Sequence, residues 1–226
     1  MNIESLENIE EVKMSFTAKF TLVLEWFDWR LIWRDLNEDF SLNIPNKEII
    51  ENIWVPVFIF HNTKTKIRTP IDEVTRFVVK QKGSYELSTD VEAEEIAFFK
   101  GSENSLLYSR DFYSTFSCDF DLRSYPFDTQ MCTMRIKNQE KERKFVSLNP
   151  LELMYSGPME MAEFVMTSYE MDTEPSGNDM DLVVKIWMQR RVFKHLLGTY
   201  LPSLCILIIC QVIFKHWQKN VATFHL

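Results

Sequence analysis

The amino-acid sequence predicts a mainly β protein, an immunoglobulin-like antiparallel β-sandwich followed by one transmembrane α-helix. Short segments rich in β-branched and aromatic residues recur along residues 1–190, and turn sequences separate them. Residues 196–214 carry no charge and are long enough to cross a bilayer as a single helix. The length of 226 residues and the hydrophobic content of 46% allow one sizeable core before that helix.

The strand segments follow one another through the first part of the chain. Residues 15–33 begin with apolar residues at every second position, which is typical of a strand with one buried face. Residues 81–84 and 175–179 contain the glycine, proline and polar residues of turns. Further strands are predicted at residues 53–60, 77–80, 105–117, 131–136, 163–171 and 180–189.

The composition limits the classes of function. The net charge of −8 argues against a nucleic-acid partner. The four cysteines show no metal-ligand spacing, and Cys205 and Cys210 lie in the apolar run, where buried free thiols are common. No metal or nucleophile constellation is present. We therefore expect no enzyme, no metal and no cofactor.

The apolar run at residues 196–214 has positive residues on both sides. Arg190, Arg191, Lys194 and His195 precede it, and Lys215, His216 and Lys219 follow it. These flanks are nearly balanced, so they do not orient the helix across the membrane. The alternative interpretation is a buried core helix in a protein without a membrane segment.

Thirteen residues separate Cys118 from Cys132. Tyr125 before Pro126 favours a tight turn and permits a cis bond. Apolar Phe127 stands beside charged Asp128, so the tip of this segment is suited to docking against another surface. A disulfide across the span would close a small loop. By restricting the unfolded chain it would stabilise the folded state by about 3 kcal/mol. The simpler alternative is an ordinary disulfide hairpin in a secreted β-domain.

This segment resembles the signature loop of the Cys-loop receptors, the pentameric neurotransmitter-gated ion channels. Residues 25–33 resemble the family's Trp-x-Asp-x-x-Leu-x-Trp motif, residues 53–56 its Trp-x-Pro motif, and residues 190–203 its join into the first transmembrane helix. The resemblance covers roughly residues 5–215. The matching positions inside the loop are Asp121, Tyr125, Pro126, Phe127, Asp128 and Gln130.

The resemblance implies a disulfide between Cys118 and Cys132, with Cys205 and Cys210 free. It implies that residues 1–190 form an extracellular ligand-binding domain, 191–217 the first transmembrane helix, and 218–226 the start of the connection to a pore helix. The implied protein is a plasma-membrane receptor, and a synaptic location is one possibility. Its implied partners are membrane lipid, an unidentified small-molecule agonist, and other subunits in a homo- or hetero-pentamer.

In this family the agonist binds in a box of aromatic side chains, where cation–π attraction holds an ammonium group. The resemblance suggests Trp26, Phe58, Phe60 and Tyr169 as ligand-binding residues, and core packing is the alternative for each. Residues 137–142 contain no aromatic side chain, and residues 175–179 contain no cysteine. We therefore do not expect an acetylcholine-type principal face.

The resemblance also assigns residues that couple ligand binding to gating. Within the loop these are Tyr125, Pro126, Phe127 and Asp128, and before the membrane helix it is Arg190. Asp128 and Arg190 match the acidic and basic partners of the family. A membrane-flanking charge is the alternative role of Arg190.

The chain shows neither an export signal nor the later membrane helices of the family. We expect the first strand to be mostly missing and the natural product to extend beyond both ends. The alternative function is a pore-less ligand-binding or assembly-modulating module of the same family. The transcript beyond Leu226 distinguishes the two.

Overall fold

In a computed structural model, the structure describes residues 1–64, 76–84, 86–87, 97–139, 141–142, 145–177 and 179–223. The chain divides into two compact units, which are treated separately. The sandwich unit comprises residues 1–118, 133–157 and 170–185. The loop–helix unit comprises residues 119–132, 158–169 and 186–226.

Strands dominate the described chain up to Arg190, and helix follows, which confirms the predicted fold class. The helical elements are a 3-10 turn at Phe40–Leu42, α1 (Lys47–Asn52), α2 (Val192–His195), a π-helical turn at Leu196–Tyr200 and α3 (Leu201–Thr223). The strands are β1 (Asn2–Glu10), β2 (Ser15–Trp26), β3 (Ile32–Arg34), β4 (Phe58–Phe60), β5 (Arg76–Lys80), β6 (Glu86–Leu87), β7 (Ala97–Lys100), β8 (Ser105–Ser117), β9 (Thr129–Asn138), β10 (Met154–Tyr155), β11 (Phe164–Ser176) and β12 (Asp179–Arg190).

Within the described residues the strands form three sheets. The largest has the order β10-β1-β2-β8-β5, and the second has the order β11-β12-β9-β4. A small third sheet has the order β3-β7-β6. The longest pairing joins β2 and β8, which run antiparallel from Ser15 opposite Ser117 to Trp26 opposite Leu106.

The core of the sandwich unit is built from phenylalanine side chains of β2, β4 and β8. The ring centroids of Phe20 and Phe60 lie 5.5 Å apart, and those of Phe60 and Phe112 lie 5.3 Å apart. Both contacts are edge-to-face, a favoured geometry for aromatic pairs. They join the sheet of β2 and β8 to the sheet of β4, as expected for a sandwich. We call this set the phenylalanine core: Phe16, Phe20, Phe58, Phe60, Phe112 and Phe116.

Asn2–Glu10 form β1, a strand that the alternation of the sequence does not predict. The strand pairs antiparallel with β2 and parallel with β10, and it buries Ile3 and Leu6. Asn8 takes a positive φ of 47°. The register shifts near it and at Ile3/Ser5 break the alternation that would otherwise identify a strand.

One helical segment, Val192–Lys215, is long and apolar enough to cross a membrane. The side chains from Leu196 to Lys215 are exposed, which does not fit the alternative of a buried core helix. The π-helical turn ends just before Pro202, which has no N–H to donate and whose ring crowds the carbonyl four residues earlier. The wider turn accommodates that missing hydrogen bond.

Candidate functional site

The predicted disulfide is present between Cys118 and Cys132, and the other two cysteines, Cys205 and Cys210, are free. The bond from Tyr125 to Pro126 is cis, as the sequence permits. In the loop–helix unit, Pro126 is buried, whereas Tyr125 and Phe127 are 42% and 68% exposed. Phe127 therefore presents an apolar ring at the loop tip.

Asp128 and Arg190 form a buried ion pair within the loop–helix unit. Arg190 Nε donates to Asp128 Oδ1 at 2.6 Å, and Nη2 donates to Oδ2 at 2.8 Å. The backbone N–H of Arg190 donates to the carbonyl of Asp128 at 3.2 Å. Both side chains are 1% exposed. Two parallel bonds from a planar guanidinium fix the orientation of the carboxylate as well as its charge.

Two opposing effects set the pKa of Asp128. Burial disfavours the ionised carboxylate, but the hydrogen bonds from Arg190 and then Gln130 outweigh it and hold the pKa of Asp128 below its ordinary value. The carboxylate is therefore ionised at neutral pH. The site is a charged pair removed from water.

Gln130 holds the other side of Asp128. Its Nε2 donates to Asp128 Oδ2 at 2.5 Å and to the carbonyl of Asp121 at 2.9 Å, and its Oε1 accepts from the N–H of Asp121 at 2.8 Å. The side chain is buried. The sequence matched Gln130 to the family loop but gave it no role. Its inward place in β9, two positions before buried Cys132, is the signal that could have identified it.

Two aromatic rings lie against the guanidinium of Arg190. Its Cζ is 4.8 Å from the ring centroid of Tyr125 and 4.7 Å from that of Phe164, which is cation–π distance. The hydroxyl of Tyr125 is 2.8 Å from His195 Nδ1. Sequence reasoning missed Phe164 and His195, because both are distant in the chain from the residues they contact. We call this set the buried ion-pair site: Asp128, Gln130, Arg190, Tyr125 and Phe164.

The suggested ligand-binding residues do not form one group. Phe58 and Phe60 are 6% and 4% exposed and belong to the phenylalanine core. This agrees with core packing, the alternative role given to them from the sequence. Trp26 is half-buried and makes an edge-to-face contact with Trp54 at 6.3 Å. Tyr169 is half-buried on β11. The ligand-binding roles of Trp26 and Tyr169 remain predictions.

A cleft of about 480 Å³ in the sandwich unit is lined by Trp26, Trp54 and mainly apolar neighbours. Its volume falls within the usual range for small-molecule pockets. The other lining side chains include Phe27, Phe145, Leu148, Met171 and Leu182.

A second electrostatic feature of the sandwich unit lies on β9, β11 and β12. Lys137 pairs with the buried side chain of Asp181 at 3.0 Å, and Glu174 pairs with Lys185 at 2.8 Å. The hydrogen bond from Lys185, together with Arg135, lowers the pKa of Glu174 against the opposing effect of burial. The side chain of Lys137 is itself only 17% exposed, so this ion pair is largely removed from water.

Comparison with known proteins identifies the class. The family model described as the neurotransmitter-gated ion-channel ligand binding domain matches residues 1–192. That match covers most of the chain, so the chain belongs to this family, a family of receptors.

Particular relatives are subunits named for gamma-aminobutyric acid. The subunit pi of Bos taurus is 26% identical over 223 residues, covering 95% of this chain and 45% of that protein. The beta-like subunit of Drosophila melanogaster is 25% identical over 238 residues, covering 99% and 44%. The beta subunit of Caenorhabditis elegans is 25% identical over 228 residues, covering 98% and 37%. The chain thus spans less than half the length of these curated relatives.

Proposed function

We propose that this chain is a subunit of a pentameric neurotransmitter-gated ion channel in the plasma membrane. Residues 1–190 would form the extracellular ligand-binding domain, 191–217 the first transmembrane helix, and 218–226 the approach to the pore helix. The single observation that carries the proposal is the buried pair of Asp128 and Arg190, since it joins the disulfide loop to the strand that leads into that helix.

The geometry suits the transmission of a movement. Arg190 is the last residue of β12, and α2 begins at Val192. Because only Arg191 lies between them, a movement of Arg190 is passed directly to the start of the helix. Asp128 stands immediately before β9 in the disulfide loop. A bidentate pair resists sliding and rotation more than a single hydrogen bond does. A displacement of the loop would therefore move the start of the helix instead of being absorbed locally.

The proposed ligand is a small-molecule neurotransmitter. Gamma-aminobutyric acid is the first candidate, because several relatives are named as its receptor subunits. Trp26, which lines the cleft of the sandwich unit, is the first aromatic residue we propose for cation–π attraction to an ammonium group, and Tyr169 is proposed separately from it. The missing aromatic at residues 137–142 argues against acetylcholine.

The test is expression of the complete gene product in oocytes with current recording. Gamma-aminobutyric acid should open a conductance, and acetylcholine should not. Asp128→Asn and Arg190→Gln should each reduce the ligand-evoked current at equal surface expression, and the double variant should lose less than the two single losses combined. The matched control is Arg191→Gln, because Arg191 is the neighbouring arginine and its side chain is 45% exposed.

Two outcomes would count against the proposal. Strict additivity of the two losses would mean that the pair does not transmit gating. Surface protein that co-assembles with other subunits but carries no current with any tested transmitter would favour the pore-less, assembly-modulating module.

A further inference from the structure

A small pocket lies in the sandwich unit, on the face of the β1-β2-β8 sheet opposite the phenylalanine core. Its volume is about 440 Å³, within the usual range for small-molecule sites. Ser15 and Thr17 alternate with buried Phe16 along β2, so their side chains point away from that core. We call this set the lysine–hydroxyl pocket: Asn8, Glu10, Lys13, Ser15, Thr17, Lys64 and Thr115.

The floor of the pocket offers hydroxyl groups as hydrogen-bond donors. Thr17 and Thr115 stand directly opposite each other on β2 and β8, and their hydroxyl oxygens lie 2.9 Å apart. One hydroxyl donates to the other, so the accepting hydroxyl keeps a hydrogen that has no acceptor among the described residues. Ser15, two positions from Thr17 on the same face, adds a third hydroxyl. A ligand on this floor would therefore meet donated hydrogens.

Two exposed lysines bring positive charge to the rim of the pocket. Lys64 donates through Nζ to the carbonyl of Lys13, and this bond uses one of the three ammonium hydrogens. Among the described residues Lys64 forms no ion pair with a carboxylate. Lys13 pairs with Glu10 at 2.7 Å, so the acid of the pocket is already neutralised. Two lysines and one glutamate leave the lining with one net positive charge, in a chain whose net charge is −8.

Backbone hydrogen bonds hold the walls of the pocket in place. The N–H of Lys64 donates to the carbonyl of Thr115 at 3.0 Å, which ties the segment after β4 to β8. The N–H of Cys118 donates to the carbonyl of Met14 at 3.0 Å, and the N–H of Met14 donates to the carbonyl of Glu11 at 3.0 Å. These bonds close the turn before β2 and fasten it to the end of β8. The pocket is therefore formed in advance, which lowers the entropy cost of binding.

We propose that the lysine–hydroxyl pocket binds a small tetrahedral oxyanion, a phosphate or sulfate group. Ammonium and hydroxyl hydrogens suit negatively charged oxygens, and hydrogen bonds between charged partners are stronger than those between neutral ones. A metal cation is disfavoured by the net positive lining. The pocket shares no residue with the buried ion-pair site, and its ligand does not depend on the proposed function.

Amide NMR of the chain in bicelles tests the proposal without any current. Sodium sulfate or sodium phosphate replaces sodium chloride at constant ionic strength, so that general screening stays the same. Both oxyanions should shift the amide signals of Thr17, Lys64 and Thr115 saturably, with binding about tenfold tighter than that of chloride. Bicelles with and without phosphatidylglycerol distinguish the source of the group, since a lipid phosphate would shift these signals with no soluble oxyanion present.

Variants separate the pocket from the general charge of the chain. Lys64→Gln removes the cation that has no carboxylate partner and should weaken sulfate binding about tenfold. Thr115→Val removes one hydroxyl at nearly the same volume and should weaken binding about fivefold. Thr115→Ser keeps the hydroxyl and should bind sulfate as wild type does. Lys47→Gln is the matched control, because Lys47 is a lysine of the same unit whose side chain is 88% exposed, and it should leave binding unchanged.

Two results would overturn the inference. In the first, sulfate, phosphate and phosphatidylglycerol all leave the three amide signals unchanged. In the second, Lys47→Gln weakens binding as much as Lys64→Gln does, which would mean that the anion responds only to overall charge. If Thr115→Val does not fold, the comparison of these two exposed lysines still decides the matter. A chain that binds sulfate as expected but forms no channel would refute the proposed function alone.

Discussion

The phenylalanine core and the buried ion-pair site both exclude water, but different forces hold them. The rings of Phe20, Phe60 and Phe112 touch at 5.3–5.5 Å and gain from apolar burial, which depends little on direction. Asp128 and Arg190 gain only if each polar atom meets its partner at hydrogen-bonding distance. The stability of the phenylalanine core therefore depends on how well the side chains fill its volume. The stability of the ion-pair site depends on the exact positions of the bonded atoms.

This difference determines how each region responds to substitution. A core can rearrange around a side chain of similar size, and it then loses part of its contact energy. A buried charge whose partner is removed cannot find another in an apolar setting, so nearly the whole cost of desolvation falls on the folded state. The ion-pair site should therefore be the less tolerant region, although it contains fewer residues.

The largest expected effect is loss of one member of the buried pair. Arg190→Gln should lower the free energy of unfolding by about 3–5 kcal/mol, because it leaves the Asp128 carboxylate buried without its cation. Urea unfolding of the chain in detergent measures the loss. The double variant with Asp128→Asn should be more stable than the sum of the two single losses predicts.

The control for that cycle is Arg191→Gln, which should change the free energy of unfolding by no more than about 0.5 kcal/mol, as at other exposed positions. Equal losses from Arg191→Gln and Arg190→Gln would show that burial of the pair is not what stabilises it.

Conservative substitutions sharpen the comparison between the two regions. Arg190→Lys keeps the charge but cannot make both bonds to Asp128, and it should cost about 1.5–3 kcal/mol. Phe60→Leu keeps an apolar side chain in the core and should cost roughly 1–1.5 kcal/mol. Unfolding midpoints measured side by side would decide the order. A larger loss from Phe60→Leu would reverse the comparison.

The sequence predicts most of the core because periodicity reflects burial directly. Phe16, Ala18, Phe20 and Leu22 alternate along β2, and all four are buried. The predicted strand at residues 105–117 coincides with β8. Within the predicted turn at residues 175–179, Gly177 takes a positive φ of 67°, directly after the last residue of β11.

The elements missed have weaker signals. Strand β1 carries many acidic residues and two register shifts, so its alternation is broken. Helix α1 is six residues long and has no fully buried residue, and only Ile49 and Ile50 pack against the core, so its apolar face is too short to show a period. Its clearest signal is Asn46, whose side chain caps the amide of Ile49. Pattern reasoning finds elements through their buried face, and these two have little of it.

The ion-pair site is only partly accessible to sequence reasoning. The match to a known family brought Asp128 and Arg190 together, since they are 62 positions apart and no periodicity relates them. The roles of Gln130, Phe164 and His195 depend on contacts between distant segments. Conversely, the match suggested Phe58 and Phe60 as ligand contacts, and the structure places both in the core.

Acid should destabilise the ion-pair site before the phenylalanine core. The pKa of Asp128 is lower in the folded chain than in the unfolded chain, where an aspartate titrates near 4. Its contribution is therefore complete above the unfolded pKa and is lost as pH falls through the folded pKa. Unfolding free energies measured from pH 5 to pH 2 should fall more steeply for wild type than for Asp128→Asn. Parallel profiles would contradict this.

The smallest expected effect lies in the same loop, at the exposed pair of Asp121 and Arg123. Arg123 Nη2 lies 2.5 Å from Asp121 Oδ2, but the two side chains are 89% and 52% exposed, so water replaces the bond when it breaks. Gln130 holds Asp121 through its backbone N–H and carbonyl, not through its carboxylate. Arg123→Gln should therefore lower the free energy of unfolding at neutral pH by no more than about 0.5 kcal/mol. The local effect should still be visible, because hydrogen bonds from Arg123 lower the pKa of Asp121 to about 2, and carboxyl-carbon NMR should show that pKa rising in the variant. A loss of stability as large as that of Arg190→Lys would mean that position in the loop, not burial, decides what an ion pair contributes here.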